Sequence, residues 1–342
     1  MTNPVLVEVT RDPRVESRHR AAIAVVDAAG RRRAAIGDVD EPIFPRSAVK
    51  ALQALVLVES GAADRYGFGD AELALACAAH AGDPRHVETA ARMLAAVGRG
   101  EADLECGPQW PLDREAANAL VRAGEQPTAL HNNCSGKHAG FIAAARHLGF
   151  DTKGYIAPDH PVQRQVTAVL AAMTGADLGP HVRGVDGCSI PAYAIPLANL
   201  AQAFARFVTG EGLSSSRNRA AITLRSACAK QPHMIAGKGR FCTMTTAQFG
   251  ERVFVKVGGE GVFCAGFPDL GLGVALKCDD GAKRAAEAMM SAVTAAFVAM
   301  PGATRRAYAR TQLTSRVGRN IGEIRVVDTL VEMLREIVSQ PT

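Results

Sequence analysis

The chain has 342 residues, of which 48% are hydrophobic and 5% aromatic, and it carries a formal charge of +5. This length and apolar content allow a substantial aliphatic core, and because no apolar run reaches about 18 residues, a membrane-spanning helix is excluded. The basic residues are scattered, and their densest run, residues 31–33, lies beside Gly30 in a predicted turn without aromatic neighbours, which argues against nucleic-acid binding.

Strands are predicted near both ends of the chain and helices between them. Apolar runs bounded by turn residues indicate strands at 4–10, 21–27, 33–38, 252–257, 261–267, 272–278 and 323–328. From residue 46 to about residue 230 the apolar spacing is mostly helical, with Pro84 and Pro161 each in the first turn of a helix. An Ala-rich helix is predicted at about 282–299.

This order of elements predicts an α+β fold, in which both ends of the chain build one sheet and a helical cluster is inserted between them. Neither half of such a sheet can form without the other. We therefore expect residues 1–342 to form a single domain.

The chain contains eight cysteines, and no two of them are spaced as CxxC. The N-terminus lacks a basic segment followed by an apolar one, which is the pattern of a secretory signal. These features favour reduced thiols in a cytoplasmic protein, most of them as small core residues.

The stretch PRSAVK places Ser47 and Lys50 one turn apart at the start of a predicted helix. An uncharged lysine amine there can take the serine proton, and the helix N-terminus favours a developing oxyanion. The following residues, ALQALVLVESG, are mostly apolar, so Lys50 is expected to be partly desolvated, which disfavours its charged form. The alternative is a helix-capping serine beside a solvated lysine.

A second polar group occurs in HNNCSGKHAGF, residues 131–141, where Cys134 and Lys137 lie one turn apart on a predicted helix and His138 follows. The pair Gly136–Lys137 suggests a phosphate-binding loop. That interpretation fails because the upstream glycine is missing and His138 stands where Ser or Thr is required. A capped helix with a buried thiol remains the alternative to a site.

Two further segments could contribute to a site. The Gly- and Pro-rich stretch GVDGCSIPAYAIP, residues 184–196, is predicted to be irregular and carries Asp186 and Cys188, either as part of a site or as a plain turn. In FVKVGGEG, residues 254–261, Lys256 interrupts an apolar strand, where it either guards an exposed sheet edge or lines a cleft.

Taken in order, RSAVK, HNNCSGKHAG, DGCSIP and GKGRFCTM resemble the class 3, rhizobial-type L-asparaginases of the asparaginase II family. The resemblance covers nearly the whole chain. It implies a fold similar to serine β-lactamases and penicillin-binding proteins, a homodimer, and hydrolysis of L-asparagine to L-aspartate and ammonia.

The resemblance also implies catalytic roles. Ser47 matches the nucleophile, Lys50 matches its amine partner, and Lys256 matches the lysine of a second serine–lysine pair. This chain departs from the family in the segment CAAHAG, where Ala79 replaces the second serine. We expect reduced activity, because losing one general acid–base group lowers rates about 10²–10⁴-fold. In this hypothesis Lys256 acts on Lys50 electrostatically.

Metal and substrate ligands follow from the same resemblance. Three residues match the family's zinc ligands: Cys134, Lys137 and Cys188. Two thiolates and a neutral amine leave one position of a tetrahedral ion open for water. Three residues match the substrate site: Arg46, His138 and Asp186. Arg46 suits the α-carboxylate of a zwitterionic amino acid, and Asp186 suits its ammonium group.

Three alternatives stay open. The missing serine favours a low-activity or inactive zinc-binding protein of the same fold that binds an amino acid. The Ser47–Lys50 spacing also fits a β-lactam-processing enzyme, although Arg46 and Asp186 suit a small zwitterion better. L-Glutamine is a close variant of the substrate, since one methylene discriminates only about 10–200-fold.

Overall fold

The structure is a computed structural model that describes residues 2–339. The strands are β1 Val5–Arg11, β2 Arg14–Asp27, β3 Arg32–Ile36, β4 Pro42–Ile43, β5 Arg183–Val185, β6 Pro191–Tyr193, β7 Ile195–Pro196, β8 Phe254–Val257, β9 Val262–Phe267, β10 Leu272–Cys278, β11 Arg310–Thr314 and β12 Asn320–Val326. The helices are α1 Lys50–Gln53, α2 Leu55–Glu59, α3 Ala62–Arg65, α4 Asp70–Ala76, α5 Pro84–Ala96, α6 Arg114–Ala123, α7 Ser135–His147, α8 Pro161–Thr174, α9 Leu197–Thr209, α10 Ser215–Lys230, α11 Pro232–Ala236, α12 Phe241–Phe249, α13 Lys283–Phe297, α14 Gly302–Ala309 and α15 Asp328–Ser339. Within 2–339, none of these helices combines the length and the apolar composition needed to cross a bilayer.

The chain divides into two compact units. The sheet unit consists of the described residues up to Ala48, of Ile195–Glu211, and of the described residues from Arg252 onward. The helical unit consists of Val49–Ala194 and Gly212–Glu251. The expectation of one domain over the whole chain stays a prediction.

The sheet unit is built on an antiparallel sheet with the strand order β11-β12-β1-β2-β10-β9-β8, and β3 pairs with β2. The long strand β2 joins the two halves: its first part pairs with β1, for example His19 with Val7, and its second part pairs with β10, for example Ala24 with Ala275. The second part, AAIAVVD, is wholly buried, which explains its continuous apolar sequence. Both ends of the chain thus share one sheet, which confirms the predicted α+β class.

One helix lies elsewhere than the sequence predicted. Helix α9 reads as part of the inserted cluster, but it belongs to the sheet unit and packs on β10, β2 and β9. Its buried aromatic residues include Phe207, whose ring centroid is 4.9 Å from that of Phe254 on β8. The inserted helical cluster is present, but α9 is not part of it.

The helical unit contains the helix starts that the sequence predicted, with one unexpected cap. Asp83 Oδ1 accepts a hydrogen bond from Arg85 N at 3.1 Å at the start of α5. At the start of α8, His160 Nδ1 accepts from Val162 N at 3.2 Å. Strands β5 and β6 form a short hairpin where the sequence predicted an irregular segment.

Candidate active site

Ser47 lies in a 3-10 turn, Arg46–Val49, that runs directly into α1. The next turn presents Lys50, which is only 1% exposed and donates a hydrogen bond from Nζ to Asn133 O at 3.1 Å. No side chain caps α1, and its N-cap residue is Val49. The alternative of a capping serine beside a solvated lysine is therefore wrong.

In the sheet unit, the segment before Ser47 packs on the turn that follows β8. A Cβ atom on Gly258 would lie 2.5 Å from Pro45 O, and one on Gly259 would lie 3.2 Å from Arg46 Cγ. Glycine is required at position 258, where a Cβ atom would collide with a backbone oxygen, whereas position 259 is only tight against the Arg46 side chain. Arg46 itself has a left-handed φ of 52°.

Lys256 lies on β8, two residues before this diglycine turn. The strand is at the edge of the sheet, yet Lys256 is fully buried. An exposed edge guard is therefore excluded, and the buried amine comes from the strand end against which the Ser47 segment packs.

The two thiols and the amine predicted to bind zinc lie together in the helical unit. Lys137 Nζ donates to Cys188 Sγ at 3.1 Å, and Cys134 Sγ lies 3.0 Å from Asn133 Oδ1. A hydrogen bond from the Cys188 thiol, together with the nearby cations, holds the pKa of Cys134 well below its usual value. The same hydrogen bond and burial raise the pKa of Cys188.

The amine of Lys137 is charged in this arrangement. Burial alone would lower its pKa, but Cys134, Cys188 and the carboxylate of Asp186 raise it above the ordinary value. Two sulfur atoms and one nitrogen converge here, which is a donor set that suits zinc. A metal ion held by them would have to displace the proton from Lys137.

Close packing fixes the first turn of α7, which carries Lys137. A Cβ atom on Gly136 would lie 2.4 Å from Leu75 Cγ and 2.6 Å from Leu75 O, so glycine is required where α7 meets the end of α4. Residues 135–145 of this helix are all buried. The helix start is therefore held in place by backbone contact rather than by solvent-exposed caps.

The hairpin β5–β6 supplies Asp186 and Cys188 from its turn. Asp186 N donates to Ile190 O at 2.9 Å, and Ser189 N donates to Asp186 O at 2.8 Å. Ser189 has a left-handed φ of 75°, which lets the chain reverse within these residues. The turn brings the Cys188 sulfur onto Lys137.

His138 is fully buried and oriented by Tyr155. Burial, followed by the charges of Lys137 and Lys50, lowers the pKa of His138, so the ring is neutral. Tyr155 Oη accepts from Glu105 N at 2.9 Å and lies 2.8 Å from His138 Nδ1. Burial raises the pKa of Tyr155, so its hydroxyl keeps its proton and donates it to Nδ1. The other nitrogen, Nε2, then carries a hydrogen that no described residue accepts.

The sequence analysis gave no role in the site to three residues that shape this region: His80, Asn133 and Tyr155. The Nε2 atom of His80 lies 3.0 Å from Ser135 Oγ at the start of α7. Burial, then the charges of His86 and Lys50, lowers the pKa of His80. The position of His80 next to Ala79 in CAAHAG could have identified it from the sequence as a residue of this region. Nothing in the sequence singled out Tyr155.

The predicted site residues fall into two groups, one in each unit. In the helical unit, Lys50 and Lys137 both act electrostatically on Cys134 and His138, and Asp186 acts on Lys137. The members of this group are Lys50, Cys134, Lys137, His138, Asp186 and Cys188. The sheet unit carries Arg46, Ser47 and Lys256.

The sequence model of the family described as L-asparaginase II matches residues 7–326. No curated protein matches the chain. Among solved structures, a β-lactamase-type protein from Bacteroides dorei is 13% identical with a TM-score of 0.42, covering 94% of this chain and 93% of that one. A β-lactamase from Mycobacterium bovis is 15% identical with a TM-score of 0.35, covering 75% and 86%. A mutant of simvastatin synthase from Aspergillus terreus is 13% identical with a TM-score of 0.38, covering 75% and 84%.

Proposed function

The chain belongs to the L-asparaginase II family, and we propose that it is an amidohydrolase that converts free L-asparagine to L-aspartate and ammonia. The proposal includes a cytoplasmic homodimer as the working form. The burial of Lys50, one turn after Ser47, is the observation that carries it. A buried amine beside a helix-initial hydroxyl is the arrangement that serine–lysine chemistry requires.

In the proposed reaction, Lys50 first releases its own proton, Lys50 Nζ then takes the proton of Ser47 Oγ, and Oγ attacks the side-chain amide carbon of asparagine. The tetrahedral oxyanion collapses, the amide nitrogen takes a proton and leaves as ammonia, and an aspartyl ester remains on Ser47. Water then hydrolyses this ester to aspartate and regenerates the hydroxyl. In this proposal Lys256, which is fully buried, acts on Lys50 electrostatically.

Three side chains suit the zwitterionic substrate. Arg46 can bind the α-carboxylate through two hydrogen bonds, and Asp186 can bind the ammonium group. The buried Nε2–H of His138, which no described residue accepts, is a preformed donor for a substrate oxygen. Such a donor favours a substrate that brings its own acceptor, because a buried polar group left unpaired is destabilising by about 1–3 kcal/mol.

A zinc ion fits the donors Cys134, Lys137 and Cys188. When bound, zinc polarises a nearby oxygen or lowers the pKa of a coordinated water. Around it, this chain's own residues orient the ligands: Asn133 contacts the Cys134 sulfur, and the β5–β6 turn holds Cys188.

The decisive assay is ammonia release from millimolar L-asparagine by wild-type protein, with Ser47→Ala as the blank. Lys50→Met is the matched second variant, because it keeps the buried aliphatic stem but removes the amine. We expect both variants to lose activity while keeping the wild-type circular dichroism spectrum. Full activity of Ser47→Ala would refute the proposed nucleophile, and L-glutamine in the same assay measures specificity.

A second function is favoured by one observation: residue 79 is a buried alanine, without the second serine hydroxyl. In that case the protein binds the amino acid without hydrolysing it. Calorimetric binding of L-asparagine together with ammonia release no higher than that of Ser47→Ala would establish this alternative.

A further inference from the structure

Three histidine rings of the helical unit lie almost parallel in one stack. The ring centroids of His80 and His86 are 4.9 Å apart, and those of His86 and His233 are 5.0 Å apart with an interplanar angle of 10°. Asp83 lies beside the stack: its Oδ2 is 2.8 Å from His233 Nε2, and its Oδ1 is 3.0 Å from His86 Nδ1. Asp83 and His86 begin α5, whereas His233 lies in α11.

The proton on His86 can be placed from its neighbours. His86 Nε2 lies 3.1 Å from the backbone oxygen of His233, and a carbonyl oxygen can only accept a hydrogen bond, so Nε2 carries the hydrogen. In the neutral ring, Nδ1 then bears a lone pair. This atom is fully buried and makes no hydrogen bond to any described residue, although Asp83 Oδ1 is only 3.0 Å away.

Asp83 Oδ1 itself has donors, because it accepts hydrogen bonds from Arg85 N at 3.1 Å and from His86 N at 3.4 Å. The atom without a partner is therefore His86 Nδ1, a buried lone pair that faces a carboxylate oxygen. A metal ion bound to Nδ1 and to the carboxylate would satisfy this lone pair.

The other histidine cluster among the described residues shows the opposite pattern. His19, Cys278 and Asp280 also place their ligand atoms within 4.8 Å of one another. There, Arg284 Nε donates to His19 Nε2 at 3.2 Å, so the ring hydrogen is on Nδ1, which donates to Asp280 Oδ2 at 2.6 Å. Hydrogen bonds satisfy both ring nitrogens, and no ion is required.

We propose that Asp83, His86 and His233 form a binding site for a divalent first-row transition-metal ion, separate from the Cys134 cluster. The three ligand atoms lie within 4.8 Å of one another. Two imidazoles and one carboxylate suit zinc and its first-row neighbours, and they leave positions open for water. His86 also has the outer hydrogen bond common in metal-binding histidines, from its second nitrogen to a backbone carbonyl.

The ion would clamp α11 to the start of α5. The segment between α4 and α5 is already held there, because Ala79 N donates to Ile235 O at 3.0 Å. A Cβ atom on Gly237 would lie 2.8 Å from Ala81 Cβ, so α11 also packs tightly on this segment. On the far side of the stack, His80 contacts Ser135 at the start of α7. The ion would therefore stabilise the helices that lie next to the start of α7, where Cys134 is located.

The test uses the full chain, stripped with a chelator and titrated with Co²⁺, whose absorption distinguishes thiolate from imidazole ligands. In a Cys134→Ser, Cys188→Ser variant we expect one equivalent of Co²⁺ without thiolate charge-transfer bands. Adding His233→Gln should lower the affinity at least tenfold, whereas adding His19→Gln, the matched control from the other cluster, should leave it unchanged. His233 is partly exposed, so glutamine there should not prevent folding.

Absence of tight Co²⁺ binding in the Cys134→Ser, Cys188→Ser variant would overturn the proposal. Binding that survives His233→Gln, or that is lost in His19→Gln, would overturn it as well. If the Cys134→Ser, Cys188→Ser variant does not fold, the wild type decides. In the wild type, one equivalent of Co²⁺ that binds without thiolate bands and is lost in His233→Gln supports the site. A spectrum that contains only thiolate bands refutes it.

Discussion

Replacing Gly136 by alanine should destabilise the helical unit, because the new methyl group collides with α4. It would lie 2.4 Å from Leu75 Cγ and 2.6 Å from Leu75 O, where carbon contacts need about 3.5–4.0 Å. The backbone oxygen cannot rotate away, so α7 must move by about 1 Å. Overpacking of this kind costs about 2–3 kcal/mol, and the better helix propensity of alanine returns about 1 kcal/mol. The net expected loss is about 1–2 kcal/mol.

Gly140→Ala on the same helix is the matched control. Its Cβ atom would lie 3.4 Å from Leu57 Cδ2 and 3.7 Å from Ala76 Cβ, which are ordinary contacts. Only the propensity gain remains, so this variant should gain about 0.5–1 kcal/mol. Urea unfolding followed by circular dichroism should therefore separate the two variants by about 1.5–3 kcal/mol.

The same displacement should lower the turnover rate, because Lys137 and His138 lie in the turn of α7 that moves. A misplacement of about 1 Å can lower turnover about 100-fold, so Gly136→Ala should lose asparagine hydrolysis even where it remains folded. Equal urea midpoints for the two alanine variants would show that the α4–α7 contact does not constrain the site as argued.

Three further outcomes are expected. Ala79→Ser should raise kcat for asparagine, by up to about 10²–10⁴-fold if the second serine transfers protons, and unchanged turnover would show that this hydroxyl is dispensable. Tyr155→Phe removes the donor to His138 and leaves Glu105 N without its acceptor; KM should rise more than kcat falls, with about 1–2 kcal/mol of stability lost in urea unfolding. Burial raises the pKa of the Cys264 thiol, so this thiol stays protonated in the folded chain at pH values where it ionises in the unfolded chain. Its contribution to the free energy of unfolding is therefore complete below roughly pH 8.5, where unfolded thiols are also protonated. Above that pH the contribution falls by about 1.4 kcal/mol per pH unit. Cys264→Ala should flatten this alkaline decline in urea midpoints, and an unchanged slope would assign the decline to other groups.

The main sheet was predictable because its buried strands have a continuous apolar sequence, as in the second part of β2. The first part, from Arg14, was missed because only His19 is fully buried there and charged residues alternate with the half-buried Val15 and Ser17. Helix α9 has the periodicity of any amphipathic helix, which identifies its buried face but not the element it packs on. The three-residue strands of the β5–β6 hairpin are too short to produce a periodic signal.

The candidate site was less predictable than the fold, because its geometry depends on contacts between distant segments. The burial of Lys50 followed from the apolar helix behind it. The burial of Lys256 on an edge strand did not follow from strand periodicity, which favoured the exposed interpretation. The orientation of His138 depends on Tyr155, whose position results from a loop that has no motif of its own.

The position of Ala79 shows why activity, and not stability, should respond to a serine there. Its backbone N–H donates to Ile235 O, and its neighbour His80 contacts Ser135, so the segment is anchored without any side-chain group on residue 79. A hydroxyl added there is unnecessary for holding the loop. If Ala79→Ser changes turnover while the urea midpoint stays constant, the difference is chemical, and the wild-type chain lacks a proton-transfer group rather than a correctly folded site.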